Sequence, residues 1–190
     1  YCTDGILEYV IATHAHEDHI AAFVGEDGTD GVFANFECKT IIDFPKTKST
    51  SVIYKDYVAY RDEEVEAGAV HYTALQCWNN ENGAQRSYQL GDDITLNILY
   101  QEYYKTSTSN ENNNSVCTLI SYGEKHFLFT GDLEESGEKS LVENNDLPVC
   151  ELFKSGHHGS NTANSSVLLA KIKPKTVVIT CCCGDKHGFP

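Results

Sequence analysis

Apolar positions along the chain fall into short blocks whose period changes. Leu7 to Thr13 (Leu-Glu-Tyr-Val-Ile-Ala-Thr) has the length and β-branched content of a buried strand, and Thr40 to Phe44 repeats that signal. From Val52 to Ala67 apolar and aromatic residues recur at roughly helical spacing among acidic ones, which predicts a helix. A β-rich stretch follows: Val70 to Leu75, Ser87 to Leu90, a Gly91-Asp92-Asp93 turn, and Ile94 to Tyr100. Thr106 to Ser115 is polar and rich in asparagine, and reads as a loop. Val116 to Ser121 and His126 to Thr130 flank Tyr122-Gly123-Glu124-Lys125, a hairpin signature. Leu133 to Asn144 and Ser165 to Lys173 read as helices, Val149 to Phe153 and Thr176 to Cys181 as strands. Such alternation predicts an α/β unit with helices packed outside its sheets.

Length changes the picture little: 190 residues fit one domain, 1–190. No apolar run approaches the ~20 residues that cross a bilayer. The formal net charge of −14 matters more. Affinity for nucleic acid comes mainly from Lys and Arg neutralising phosphates, and 14 basic residues against 28 acidic ones make extended DNA or RNA binding a poor expectation. A small anionic substrate remains compatible, since bound cations reverse the field inside a pocket. Eight cysteines invite a disulfide reading, but Cys117, Cys150 and Cys181-Cys182-Cys183 sit in apolar, strand-like segments where cysteine acts as a small buried hydrophobe. A reduced, cytoplasmic setting is the expectation. An exported form stays open, because methionine is absent even from position 1.

The candidate chemistry lies at the ends of predicted strands. His14 and His16 alternate where the first strand stops, so in extended chain both imidazoles project to one side. Asp18 and His19 follow where the chain turns into a helix beginning at Ile20. Two donors on each side of one short turn suit two cations better than one. Imidazole and carboxylate suit zinc, manganese or iron. Phe127 to Asp132 is an apolar strand ending in Thr130-Gly131-Asp132; alone, that aspartate reads as a helix cap. Ser155-Gly156-His157-His158-Gly159-Ser160 sets two histidines between glycines, where a ligand or acid–base role is credible.

In this order, His14 to His19, Asn112 to Ser115, Thr130 to Asp132 and His157 to Ser160 resemble the motifs of the metallo-β-lactamase superfamily. The resemblance is to its ComEC-like branch, which is itself similar to teichoic-acid phosphorylcholine esterases. It covers most of the chain, with only a loose match over residues 20–105. It implies an αββα sandwich, here lacking its first N-terminal strands. It also implies two divalent metal ions, Zn2+ or alternatively Mn2+. His14 and His16 would bind one ion, Asp18 and His19 the other, with Asp132 bridging them. One of the His157-His158 pair would complete the set, with His157 as ligand and His158 as proton donor or substrate contact, or the reverse. Asn114, Ser115 and Ser160 would contact substrate.

The implied activity is a metal-dependent hydrolase, with Asp18 and His158 as its catalytic side chains. Asn114-Ser115 stands where lactamases and glyoxalases place a metal-binding histidine. A phosphodiester or phosphomonoester is therefore expected over a lactam, lactone or thioester, with a small or cell-wall-derived ester as substrate. Relatives commonly end in Gly-His-Pro-His; this chain reads Gly188-Phe189-Pro190, and His187 is the nearby substitute. A redox enzyme of the flavodiiron kind carries glutamate where this chain has His16. A noncatalytic metal-binding module is the rival of a different class. His71 and His126 read as structural histidines, Tyr54, Tyr57 and Tyr60 as a packing face. Trp78, Tyr100, Tyr103 and Tyr104 read as core rather than a cage for a quaternary ammonium.

Overall fold

A computed structural model of the chain describes residues 2–25 and 28–181. In chain order the elements are β1 Ile6–Ile11, α1 Glu17–Val24, α2 Val32–Asn35, β2 Glu37–Asp43, α3 Val52–Ala67, β3 Val70–Thr73, α4 Ala74–Asn79, β4 Ser87–Gly91, β5 Ile94–Leu99, β6 Cys117–Tyr122, β7 Lys125–Phe129, α5 Glu135–Asn144, β8 Leu152–Lys154, α6 Ser166–Ile172 and β9 Thr176–Val178. Strands β1, β2 and β3 form one parallel sheet. A second sheet runs β4 to β9 in order, antiparallel as far as β7 and parallel from β7 through β9.

Alternation along the strands sorts the layers. On β1, Tyr9 points toward the second sheet, its ring centroid 5.1 Å from that of Tyr88 on β4. The opposite face carries Val10, with Ile41 beside it on β2, in one core with Ile20 of α1 and Tyr57 of α3. Leu96 and Ile98 of β5 belong to the same inter-sheet core, whereas Leu99, Cys117, Leu119, Leu128 and Phe153 face outward. These pack with Leu141 of α5 and with Leu168 and Ile172 of α6. The order is helices, sheet, sheet, helices, the α/β sandwich expected. No helix among the described residues is long and apolar enough to cross a membrane. The described cysteines are free thiols, with Cys38, Cys77, Cys117 and Cys150 buried. Burial pushes Cys38 up to about 12 and Cys150 up to about 11, so both stay protonated and inert. Cys182, Cys183, His187 and Phe189 lie outside the described residues.

Several boundaries differ from the pattern-based reading, each for a local reason. The strand from Val70 stops at Thr73, whose hydroxyl accepts the N–H of Gln76 at 3.3 Å while the Gln76 carboxamide accepts the N–H of Thr73 at 2.8 Å. This capping box starts α4 where strand was expected. The strand expected at Val149 begins at Leu152. The asparagine-rich segment is loop over residues 106–110 and then closes into a 3-10 turn, Glu111–Asn114, in which Asn112, Asn113 and Asn114 are buried. Of the aromatic residues expected to pack, Tyr60 on α3 is exposed. Tyr57 and Tyr104 are fully buried. The ring of Trp78 is covered by the Arg86 guanidinium at 3.6 Å.

Candidate metal centre

Three loops meet at the carboxyl ends of β1, β7 and β8, the edge at which open α/β sheets gather ligands. The N–H of Val116 donates to the Thr13 carbonyl at 2.8 Å, joining the first motif to the end of the asparagine-rich segment. Gly131 lets the third segment in. Its φ is +56°, and a Cβ there would sit 2.8 Å from Ser115 Oγ and 3.0 Å from Thr13 Cβ. Only glycine satisfies both the left-handed backbone and that approach.

Asp132 is the hub. Its side chain is 3% exposed, and its Oδ2 lies 3.1 Å from His19 Nε2, 3.4 Å from His158 Nε2 and 4.0 Å from His14 Nε2. Burial alone would raise its pKa. The hydrogen bond from His19 and the fields of His19, His14 and His158 overcome that and hold the carboxylate well below its usual range. Asp18 Oδ2 stands 3.4 Å from His19 Nε2 and 3.1 Å from His158 Nε2, and its side chain is 61% exposed. His14 is fully buried, with its Nε2 3.0 Å from His16 Nδ1. Burial foremost, then His19, keeps its pKa well below the usual imidazole range, so it is neutral at pH 7, the form that binds metal.

This donor set fits a divalent cation. One potential ligand atom each from Asp18, His19, Asp132 and His158 lies within 4.8 Å of the others. Asp132 Oδ1 is buried and makes no hydrogen bond among the described residues, which is costly for a carboxylate oxygen unless a cation faces it. His14 and His16 form a neighbouring pair, with His14 Nε2 4.0 Å from the same aspartate oxygen.

Of the His157-His158 pair, it is His158 whose ring nitrogen joins the Asp18, His19 and Asp132 group. Both residues adopt left-handed backbone, φ 47° and 53°, an unfavourable conformation for two adjacent side chains, of order 1–3 kcal/mol each. That geometry splits them. His158 points its Nε2 at Asp18, His19 and Asp132 and places Nδ1 2.8 Å from the Thr180 carbonyl. His157 turns to Thr162 Oγ1 at 3.1 Å and Glu134 Oε1 at 3.5 Å. Ser115 is fully buried behind Asp132, whose N–H it accepts at 3.0 Å. Ser160 lies 3.0 Å from the Thr162 hydroxyl and accepts the Thr162 N–H at 3.2 Å. Asn114 is 5% exposed and makes no hydrogen bond among the described residues.

With that geometry in hand, comparison with known proteins gives a consistent picture. No family model matches the chain. It is similar to ComE operon protein 3 of Bacillus subtilis, 26% identical over 97% of this chain and 21% of that protein. Recombination protein 2 of Haemophilus influenzae is 32% identical over 44% of this chain and 10% of its own length. Competence protein ComA of Neisseria gonorrhoeae is 37% identical over 42% of this chain and 12% of its own length. The chain spans about a fifth or less of the length of these relatives. Among solved structures, CmlA, a diiron β-hydroxylase from Streptomyces venezuelae, and a variant of it superpose over 91% of this chain and about a third of theirs. Their TM-scores are 0.46 and 0.47 and their identities 11% and 12%.

Residues that pattern reading missed hold the site in place. Glu134 accepts from the carboxamides of Asn110 at 2.7 Å and Asn112 at 2.9 Å, beside His157. Glu138 of α5 accepts the N–H groups of Asn164 and Ser165, both at 2.7 Å. Asn164 in turn accepts the Gly156 N–H at 2.8 Å and donates to the Ser160 carbonyl at 3.1 Å, clamping both ends of the histidine loop. The Asn164-Ser165 step before α6 was the one available signal, since a serine cap marks a helix start. Glu111 holds the first motif from outside, accepting the Ala15 N–H at 3.4 Å. Lys154, four residues before His158, is partly desolvated, which lowers its pKa while Asp132 and Asp18 pull the other way.

Proposed function

We propose that this chain is the catalytic domain of a phosphoester hydrolase working with two divalent metal ions. The observation that carries the reading is the buried Asp132 carboxylate, with one oxygen among three imidazoles and the other unpartnered at hydrogen-bond distance. His14 and His16 would hold one ion; Asp18, His19 and His158 the other; Asp132 would stand between them. Zinc and manganese both suit these donors. Bound there, divalent cations supply Lewis acidity and acidify water enough for attack at neutral pH.

The chain's own residues would do the rest. Thr180 fixes the tautomer of His158 through its carbonyl, because the ring nitrogen facing it must donate. His157, carried by the same turn and flanked by Glu134, would donate the proton to the leaving group. Asp18, the most exposed carboxylate of the group, stands where it also meets solvent and substrate. Asn114 offers its unused carboxamide to a phosphate oxygen. Asn114-Ser115 in place of a third imidazole favours phosphorus over lactam chemistry. The relatives named for competence and recombination add a nucleotidic phosphodiester to the small or cell-wall-derived esters as a substrate class.

Elemental analysis paired with turnover of bis-p-nitrophenyl phosphate tests the reading. About two metal ions per chain and turnover abolished by chelation and restored by zinc or manganese are expected. Metal bound without turnover across an ester panel would leave a noncatalytic metal-binding module.

A further inference from the structure

A second site for an anion stands beside the metal centre. A cavity of about 400 Å³ opens where β2 ends, and three cations, Lys46, Lys48 and Arg61, line it against one carboxylate, Asp43. In a chain of 14 basic and 28 acidic residues, three cations lining one cavity is a local concentration of positive groups. The carboxylate is already committed. Asp43 is buried, takes Arg61 Nη1 at 3.0 Å and the Tyr57 hydroxyl at 3.3 Å, and lies 2.8 Å from His71 Nε2. Arg61 is spent on Asp43 and Asp62. Lys46 gives its ammonium to the Lys105 carbonyl, a neutral acceptor. Among the described residues neither the Lys46 nor the Lys48 ammonium pairs with a carboxylate, and Glu111 meets Lys48 only at its backbone N–H, so both ammonium groups remain available to an anion.

The cavity lies next to the strand end that carries the first histidine motif. Ala12 N–H donates to the Ile42 carbonyl at 3.1 Å, so the strand ends carrying His14 and Asp43 lie side by side. One carboxylate spans the two sites: Glu111 accepts the Ala15 N–H and the Lys48 N–H, each at 3.4 Å. Asn114, buried and without a hydrogen bond among the described residues, lines the cavity wall. Its neighbour Ser115 holds Asp132. A carboxamide that lines the cavity and makes no side-chain hydrogen bond among the described residues, beside two lysines, has a place for a phosphate oxygen.

We infer that this cavity binds a second phosphate of the substrate, next to the phosphoester at the metals, through Lys46, Lys48 and Asn114. This deepens the phosphoesterase reading and rests on it for the word substrate, but anion binding is measurable without turnover. The substrate class becomes a phosphoester bearing a neighbouring phosphate rather than an isolated monoester.

Calorimetric titration of the metal-free chain with inorganic tripolyphosphate tests the site, with Lys48→Gln and Lys46→Gln/Lys48→Gln as variants and melting curves to verify folding. Lys48 is exposed, so the single variant keeps the test valid if the double variant fails to fold. Saturable binding is expected, weakened roughly tenfold for each lysine removed. No binding to the unsubstituted chain, or equal binding to the variants, overturns the site. With metals restored, a dinucleotide carrying a 5′-phosphate should show KM raised roughly tenfold in Lys48→Gln, with kcat changed far less. Lysine-dependent binding with no turnover would keep the anion site and sink the hydrolase reading. Turnover with lysine-independent binding would do the opposite.

Discussion

The two sheets contribute to one centre by different means. The parallel sheet supplies His14, His16, Asp18 and His19 from a single strand-to-helix junction, the first two in the connection after β1 and the last two in the first turn of α1. The larger sheet supplies Asp132 and His158 from two separate connections. Neither is placed by its strand alone: Ser115 and Gly131 seat the aspartate, and Glu138 and Asn164 clamp the histidine loop. On one side a single local junction carries the four side chains, and Val116 on Thr13 and Glu111 on Ala15 fasten it from outside. On the other, the same precision needs buried polar groups brought from distant parts of the chain, each costly to bury unless satisfied.

The largest effect that would break this comparison is expected at Asp132, where the two sides join. Asp132→Ala removes the carboxylate that faces His14, His19 and His158 together. It should cost a thousandfold or more in turnover, roughly 4 kcal/mol, together with loss of bound metal. Retained metal stoichiometry in that variant would mean that the two sides hold ions independently.

Much of this was legible in the sequence, for reasons that differ between the two sides. His14 to His19 show themselves because ligand type, strand end and turn coincide within six residues. Asp132 read alone is a helix cap, and only its company with the other motifs gave it a role. The orientation of His157 and His158 was not legible, since two left-handed residues in succession follow from the loop's clamping and not from any local propensity. Glu134 and Glu138 look like ordinary surface acids of an amphipathic helix start. Their burial is visible only once the asparagine-rich turn and the start of α6 fold against them. The anion cavity escaped for the same reason: Lys46, Lys48 and Arg61 are unremarkable until β2, α3 and residues 106–115 converge.

A smaller effect separates the paired histidines and sharpens the contrast. His158→Ala should weaken metal affinity strongly, because its Nε2 joins Asp18, His19 and Asp132. His157→Ala leaves that group whole and removes a ring held by Thr162 beside Glu134, so metal content should survive while kcat falls roughly 10²- to 10⁴-fold, the range of a lost proton donor. Metal titration alongside kcat measurement distinguishes them. Equal loss of metal in both variants would show that the turn acts as one unit.

The smallest expected effect tests whether the larger sheet's side depends on its buried scaffold. Glu138 is fully buried and accepts two N–H groups that open α6. Burial foremost raises its pKa, against the hydrogen bonds from Ser165 and Asn164 that lower it. Glu138→Ala leaves both donors facing a space that the side chain filled, at about 1–3 kcal/mol. For a domain of this size, each 1 kcal/mol corresponds to about 2–4 °C in Tm. Glu138→Gln keeps the volume and one acceptor oxygen, so it should recover part of the loss. The His14 side is fastened elsewhere, through Thr13 and Glu111. Amide exchange should therefore quicken over residues 156–165 in Glu138→Ala while protection of β1 and β2 holds. Uniform loss of protection would mean that the two sides unfold together and that the scaffold belongs to the whole sandwich, not to the histidine loop.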